Sequence, residues 1–416
     1  MNQLSSGITE TTLPSLFTPT FAWKRILAFL SIFSFGVVVF FLTRQVPLKP
    51  FSSLMNIALF ALFFLQGKAI LDRISSKSLY FFLLYLGWVS ILLVYAVVLD
   101  NEFANSLRFF IIITLIQLAF LIPTSKGYVD VLIFFLVIQA LVLLGIHLAL
   151  NIFFNMQSYL FLRIFFQTQG WGDLYTYNGL FYNIQVLGNA LLPFGFFVSV
   201  HFYQGIKRLT ISSILLIGIF IAGNFAFFLG LLVFAVLTFL NSRTISTRWF
   251  TVGFVGLLLG SMMLFAPILN YLGNTLEKKS EDSNPTRIDQ TEVLWTDLSS
   301  DPFSLVFGRG LGNTVDVKTK WRDYTDNLYF ELQSIYFLNQ LGLLNFLIFT
   351  LANALGVLIF FTHRYTKVIY VSYLMYSFFN PYFLDTSHIV VILVLIGFNQ
   401  YLELKNRQEH PPSLTE

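Results

Sequence analysis

The sequence predicts an all-α polytopic membrane protein with about 12 transmembrane helices. Of its 416 residues, 56% are hydrophobic and only 11% are charged, and 50 are phenylalanine. A soluble protein needs more polar residues than this to cover its surface. Apolar runs long enough to cross a hydrocarbon layer of ~30 Å recur along nearly the whole chain. The absence of cysteine excludes disulfide bonds and thiolate metal sites.

Twelve apolar runs give the predicted spans, in chain order. The second, seventh and eighth are short or share a tight turn at Ala222–Gly223–Asn224. The spans lie near 26–42, 51–67, 79–99, 103–122, 129–154, 179–203, 209–222, 223–240, 249–269, 341–361, 368–384 and 389–403.

The positions of Lys and Arg predict the orientation, because cytoplasmic loops carry an excess of both. Cytoplasmic termini place fourteen of them inside and only four in the short outer loops. Two substantial loops, 155–178 and 270–327, then face outward. The predicted segments are a cytoplasmic tail at 1–25, spans 1–9 within 26–269, a large periplasmic loop at 270–327, an amphipathic helix and spans 10–12 at 328–404, and a second cytoplasmic tail at 405–416. The amphipathic helix is expected to bend away from span 10 at Gly342 and to lie over the bundle.

A short helix is predicted inside the large loop, in the stretch SNPTRIDQTEVLWTDLSSDP. Ser283 or Asn284 can cap its start, and a proline follows at a position that suits the first helical turn. The pair Asp301–Pro302 is expected to end it. One apolar stripe at helical spacing is predicted to consist of Ile288, Thr291, Leu294, Trp295 and Leu298.

The stretch FGRGLGN follows this helix and alternates Gly308, Gly310 and Gly312 around Arg309. It lacks the third glycine of the dinucleotide-binding fingerprint and the Gly-Lys-Ser/Thr of a P-loop. Glycines can bring backbone N–H groups close to a ligand, and arginine is a two-pronged donor for phosphate. A flexible surface turn with a solvated arginine is the alternative interpretation.

The order and spacing of these residues resemble the outer-loop signature of the O-antigen polymerase and O-antigen ligase superfamily. The matching residues are Arg287, Trp295, Pro302, Gly308, Gly310, Gly312 and Asn313. A second segment, GLFYNIQVLGNALLPFGFF at 179–197, is similar to the start of the family's span after the other outer loop. Ligases carry a histidine shortly after the glycine turn, whereas this sequence reads Thr325–Asp326–Asn327. The resemblance therefore favours a polymerase over a ligase.

The resemblance implies transfer of a glycan from a polyprenyl-pyrophosphate donor to a sugar hydroxyl of a second lipid-linked unit. The expected site faces the periplasm from a bacterial inner membrane and uses neither a metal nor another cofactor. Expected partners are the lipid-linked oligosaccharide and the bilayer, with a chain-length regulator and a flippase implied by the family alone. Nucleic acid is not an expected partner.

Candidate site residues follow from this chemistry. Arginines near the leaving pyrophosphate stabilise its developing charge, and the candidates are Arg287, Arg309 and Arg163. The sugar hydroxyl needs a base, for which Glu331 and Asp326 are the leading candidates, with Asp323 and Glu292 as alternatives. The glycine turn with its Asn313, together with Trp295 and Tyr324, is expected to bind substrate. Arg163 and the aromatic residues equally fit a membrane-interface role.

Three other classes of protein compete with the polymerase. A polyprenyl-phosphate-dependent glycosyltransferase would carry carboxylates in its first outer loop, but TRQVPLKP has none. A flippase or transporter of lipid-linked oligosaccharide would need charged groups inside its spans, which here are nearly charge-free. A ligase that has lost its histidine is the second choice after the polymerase.

Overall fold

The computed structural model describes residues 21–43, 52–74, 76–176, 181–241, 287–318, 323–328, 332–380 and 382–409, together with 252, 253, 256 and 330. Fifteen helices and two strands are labelled here in chain order. They are α1 Phe21–Leu42, α2 Ser52–Leu65, α3 Gly67–Arg73, α4 Ser76–Val98, α5 Phe103–Ala119, α6 Lys126–Phe153, α7 Tyr159–Thr168, β1 Asp173–Thr176, β2 Tyr182–Gln185, α8 Leu192–Phe202, α9 Gly205–Ala222, α10 Phe225–Asn241, α11 at 287–298, α12 Pro302–Phe307, α13 Gln333–Phe360, α14 Arg364–Phe378 and α15 Thr386–Glu409.

The described helices confirm an all-α membrane protein, but the predicted count of twelve spans is not reached among them. Six are long and apolar enough to cross a membrane, and α2 with α3, bent by 50°, is a seventh candidate. The six are Arg25–Leu42, Leu79–Val98, Lys126–Phe153, Gly205–Ala222, Gln333–Phe360 and Thr386–Gln408. The predicted span 249–269 lies outside the described residues except for 252, 253 and 256.

Several predicted spans form helices that are short for a membrane. Phe103–Ala119, Gly188–Phe202 and Phe225–Asn241 are apolar helices of only 10–17 residues. A helix of that length reaches about 25 Å at most, at 1.5 Å per residue, against a hydrocarbon layer of ~30 Å. Helix α14, with 15 residues, is also short.

The prediction of one continuous span over 179–203 is wrong. Strand β2 pairs antiparallel with β1, with Asp173 opposite Gln185 and Thr176 opposite Tyr182, and α8 begins only at Leu192. A proline lies in the first turn of α8, where its missing N–H costs no hydrogen bond. The hairpin satisfies the backbone of β2, which lets this non-helical segment lie buried against the helices. Pairing with β1, which lies just before the apolar run and outside it, decides this structure.

Helix α15 forms the centre of the bundle. In its candidate span 78% of the residues are buried, compared with 22–39% in the other five. A helix that is buried on every side lies in the core, whereas a helix at the periphery exposes one face to lipid. Helices α1, α5, α6, α8 and α14 pack against α15.

Helix α11 confirms the helix predicted in the large loop, although its buried stripe differs from the predicted one. Leu294 and Leu298 are buried together with Gln290, so the contact row follows every fourth residue. Ile288 and Trp295 are 61% and 48% exposed instead. Asp301 caps the next helix, α12, by accepting a hydrogen bond from the Ser304 N–H at 2.8 Å. The predicted break at Asp301–Pro302 is thus confirmed.

The glycine turn, residues 308–313, passes between α4, α5 and the bend in α13. Gly342 has φ 70° and ψ 173° and bends α13 there, as the sequence predicted. A Cβ atom on Gly308 would lie 2.2 Å from the Gln340 carbonyl oxygen, and one on Gly342 would lie 2.3 Å from the Gly308 nitrogen. A Cβ atom on Gly310 would lie 3.1 Å from the Ala96 Cα of α4, and one on Gly312 would lie 2.5 Å from the Ser106 nitrogen of α5. Both glycines also have positive φ. The glycines therefore permit close packing of backbone on backbone.

Substitution of Gly308 by alanine is expected to destabilise the protein. The new methyl group collides with the backbone of α13, and the positive φ adds a penalty, giving a loss of about 2–4 kcal/mol. Thermal unfolding of purified protein in detergent measures the effect. Gly87→Ala is the control, because a Cβ at Gly87 has no heavy atom within 4 Å. Equal melting temperatures for the two variants would contradict the packing role of the turn.

Candidate functional site

Backbone N–H groups of the glycine turn already have partners inside the protein. Carbonyl and amide oxygens of α12, α13 and the turn itself accept these hydrogen bonds. The backbone N–H groups donate to these oxygens: Gly308 to the Ser304 carbonyl (2.7 Å), Arg309 to the Asn339 carbonyl (2.8 Å), Gly310 to the Gln340 carbonyl (3.0 Å), Gly312 to the Gln340 Oε1 (3.1 Å) and Asn313 to the Gly310 carbonyl (3.4 Å). The turn thus forms a structural joint rather than an open cradle of donors.

The Arg309 side chain joins α11 to α12. Its Nε donates to the Asp297 Oδ2 at 3.3 Å and its Nη2 to the Asp297 carbonyl at 2.6 Å. Its Nη1 lies 3.5 Å from the Asp301 Oδ2, and Ser300 Oγ accepts a further bond. Asn339 on α13 donates to the same Asp297 carboxylate at 2.8 Å. We call Arg309, Asp297, Asp301 and Asn339 the arginine–aspartate cluster.

The charge of this cluster opposes phosphate binding. Hydrogen bonds from Ser304 lower the pKa of the Asp301 carboxyl, which keeps it ionised near neutral pH. Two carboxylates and one guanidinium leave a net negative charge, and a phosphate would have to displace one of the carboxylates. Arg309 is therefore placed to position α11 over the bundle.

The other two predicted arginines lie apart from the cluster. Arg163 on α7 forms a two-pronged pair with Asp173 on β1, with N–O distances of 2.9 and 3.0 Å. This pair raises the pKa of the Arg163 guanidinium further. Arg287 is exposed, and about three helical turns, roughly 15 Å, separate it along α11 from Asp297. The structure does not bring the three predicted arginines together.

The predicted base and aromatic residues are also dispersed. Asp326 is exposed and has φ 55°. Tyr324 is 2% exposed and stacks on Phe330, with ring centroids 5.5 Å apart, so that one ring face is covered. Asn313 donates to Asn339 at 3.2 Å and its carbonyl accepts from the Tyr336 hydroxyl. Glu331 lies outside the described residues, as do the neighbouring Trp321 and Tyr329.

A carboxylate that the sequence analysis did not single out lies in the loop between α14 and α15. Asp385 accepts hydrogen bonds from the Thr386 N–H at 2.7 Å and the Ser387 hydroxyl at 3.1 Å. Its neighbours Leu384 and His388 are buried, while Asp385 itself is partly exposed. The signal in the sequence is an acidic residue in PYFLDTSH, between two apolar runs, where a charge is costly and usually functional.

Burial raises the pKa of the Asp385 carboxyl above its usual range, although the bonds from Thr386 and Ser387 and the charge of Arg108 act in the opposite direction. Arg108 lies near the start of α5 and is exposed. Within the described chain it has no hydrogen-bond or ion-pair partner. The positive charge of Arg108 nevertheless acts on the Asp385 carboxyl.

Both groups lie at the end of the bundle that holds the glycine turn, which we call the turn end. Asn101, just before α5, donates to the Arg309 carbonyl at 2.9 Å, and Ser106 on α5 donates to the Leu311 carbonyl at 2.7 Å. The Ser334 hydroxyl, at the start of α13, donates to the Phe378 carbonyl at the end of α14. The starts of α5 and α13, the end of α14 and the turn therefore meet.

Comparisons of the chain with known protein families, with curated proteins and with solved structures give no match. Within the described residues, no group of three or more His, Asp or Glu side chains is arranged to hold a metal ion.

Asp385→Asn is expected to change how stability depends on pH. A folded-state pKa above the ordinary value of 3.8 means that the native carboxyl binds its proton more tightly than the unfolded one. The wild type should thus lose stability as the pH rises from about 4 through the raised pKa. The variant removes this loss, because asparagine stays neutral. Its amide oxygen can still accept from the Thr386 N–H, and its Nδ2 can donate to the Ser387 hydroxyl oxygen. Melting temperatures of both proteins in detergent, between pH 4 and 8, measure this effect. If the difference between the two melting temperatures did not change with pH, burial of the Asp385 charge would be contradicted.

A double-mutant cycle with Arg309→Ala and Asp297→Asn tests the arginine–aspartate cluster. The effects of the two substitutions on the free energy of unfolding are expected to differ from additivity by about 1 kcal/mol, because each breaks the same partly buried contact. The Lys318–Asp323 pair is the control, since its atoms are 3.9 Å apart and its side chains are 72% and 61% exposed. That pair should show coupling close to zero. Similar coupling in both pairs would argue against a specific role for Arg309.

Proposed function

We propose that the protein is a membrane-embedded glycosyltransferase that polymerises polyprenyl-pyrophosphate-linked oligosaccharide units into a surface polysaccharide, such as O-antigen. The reaction is assigned to the periplasmic face of a bacterial inner membrane. The resemblance of the large loop to the O-antigen polymerase and ligase superfamily is the starting point. The all-α membrane architecture is compatible with it.

One structural observation carries the proposal: the predicted outer loop is built into the bundle. The glycine turn locks segment 287–318 against α4, α5 and α13, so the polar loop residues lie at the rim of the apolar helices. Beside them Ile288, Trp295 and Phe303 are exposed, as expected for residues at a membrane interface. A lipid-linked substrate presents its phosphates and sugars at this depth, while its hydrocarbon chain stays in the bilayer.

The distribution of charge favours a transferase over a flippase. Among the described residues, charged side chains in the candidate spans lie near the helix ends, as Lys126 and Asp130 do in α6. Polar cargo that crosses the bilayer requires polar or charged groups along the path.

The placement of the described histidines favours a polymerase over a ligase. His388 is buried and bonds to the Tyr370 hydroxyl and the Phe383 carbonyl, and His147 bonds to the Tyr182 carbonyl at 2.8 Å. His201 and His363 both pack against Tyr365, at the end of the bundle opposite the turn. None of these four histidine side chains forms a hydrogen bond with the glycine turn, beside which a ligase is expected to carry its histidine. A chain-length regulator and a flippase are proposed partners on the basis of the resemblance alone.

Gel analysis of surface polysaccharide from the native host tests this function. Deletion of the gene is expected to reduce the ladder of chain lengths to a single repeat unit, and the wild-type gene on a plasmid is expected to restore it. Polymer that accumulates on its polyprenyl carrier, without reaching the final acceptor, would identify a ligase instead. An unchanged ladder after deletion, or loss of all lipid-linked units from the outer face, would contradict both transferase assignments.

A further inference from the structure

We propose that Arg108 and Asp385 form the reacting centre of this transferase, with Arg108 holding the diphosphate of the lipid-linked donor and Asp385 accepting the proton of the acceptor hydroxyl. The inference rests on the proposed function and replaces Arg309 and Glu331 in these two roles. It comes from the geometry of the turn end, where both groups lie.

Arg108 is the arginine at the turn end that suits an anionic ligand. Arg309 and Arg163 are each held by carboxylates, at 3.3 Å from Asp297 and 2.9 Å from Asp173. Arg108 is exposed, and the described residues offer it neither an ion pair nor a hydrogen bond. An arginine with free donors binds phosphate in a two-pronged manner and keeps its charge at any physiological pH.

Asp385 has the features of a positioned base. Hydrogen bonds from Thr386 and Ser387, both at the start of α15, hold one lone pair on each carboxylate oxygen and fix its orientation. The remaining lone pairs are open to a ligand, because the residue is partly exposed although its neighbours are buried. Burial also raises its pKa, which makes the carboxylate a stronger base near neutral pH than an exposed aspartate.

Arg108 is the cation whose charge acts on Asp385. The guanidinium lowers the pKa of the carboxyl, but the two side chains form no ion pair. The other ionisable groups near the carboxylate are Tyr373 on α14, Tyr382 in the same loop and His388 on α15. Arg108 is the group among them that keeps its positive charge at every physiological pH. The gap between base and guanidinium is where the reacting atoms would lie.

The reaction balances with these two groups alone. The acceptor hydroxyl gives its proton to the Asp385 carboxylate, and its oxygen forms a bond to the anomeric carbon of the donor sugar. The bond between that carbon and the diphosphate oxygen breaks, and the diphosphate keeps the electron pair. Arg108 stabilises the negative charge that develops on the leaving oxygen. The proton on Asp385 then passes to solvent through its exposed edge.

Full-length protein in nanodiscs, supplied with a polyprenyl-diphosphate-linked repeat unit, provides the test. Asp385→Asn is expected to lower kcat by about 100-fold or more, as loss of a general base does, and to remove the acidic limb of the pH–rate profile. Asp385→Glu should retain part of the activity and keep that limb. Arg108→Ala should weaken binding of polyprenyl diphosphate at least about tenfold, and Arg108→Lys less.

Asp316→Asn and Arg407→Ala are matched controls, because both residues are exposed and Arg407 lies at the opposite end of the bundle. Both should behave like the wild type. A wild-type rate in Asp385→Asn, or unchanged binding of polyprenyl diphosphate in Arg108→Ala, would overturn the inference. In that case, chain elongation by the wild-type protein would still support the proposed function. A wild type that does not elongate but binds polyprenyl diphosphate through Arg108 would overturn the polymerase and leave the anion site standing. Equal competition by inorganic pyrophosphate would show that the site recognises the free anion and not the lipid.

Discussion

Contact between the backbones at Gly308 and Gly342 is the constraint on which the turn end depends. A side chain on either residue would lie 2.2–2.3 Å from backbone atoms of the other segment. With both glycines in place, the loop donates its N–H groups to α13 and receives side-chain donors from α4 and α5. The loop is thereby fixed to three helices at once. Every other feature of the turn end, including the position of α11 above the bundle, follows from this contact.

Local patterns predicted the local structure well. Helix α11, the bend at Gly342 and the tight turn at Gly223 were all visible in the sequence, because each is set by residues close to one another along the chain. The continuous span at 179–203 was predicted wrongly, since its apolar run cannot show that β1 offers hydrogen-bond partners. Hydropathy also predicted spans over α5 and α10, but not how short these two helices are. Their length is decided by what they pack against.

Residue types alone did not predict the candidate site. Arg309 matched a signature, yet its availability depends on Asp297 and Asp301, whose side chains meet it only in the folded loop. Arg108 and Asp385 are far apart in sequence and attracted no motif. Their partners, or lack of partners, become apparent only when α5 and the loop before α15 come together. Only those charged side chains that the protein does not already pair with its own groups are able to bind a substrate.

The glycine turn also has a consequence for biogenesis. It accepts hydrogen bonds from helices that are distant in sequence. The Ser106 hydroxyl of α5 donates to the Leu311 carbonyl, 205 positions later, and the Tyr95 hydroxyl of α4 donates to the Gly308 carbonyl, 213 positions later. Its other partner, α13, follows it in the chain. During synthesis the early helices must therefore enter the membrane before the glycine turn can pack on them. The turn reaches its final position only after Gly342 and the start of α13 have been synthesised. The turn end is completed last, so a truncated chain would insert its early helices and still lack the surface proposed to carry out the chemistry.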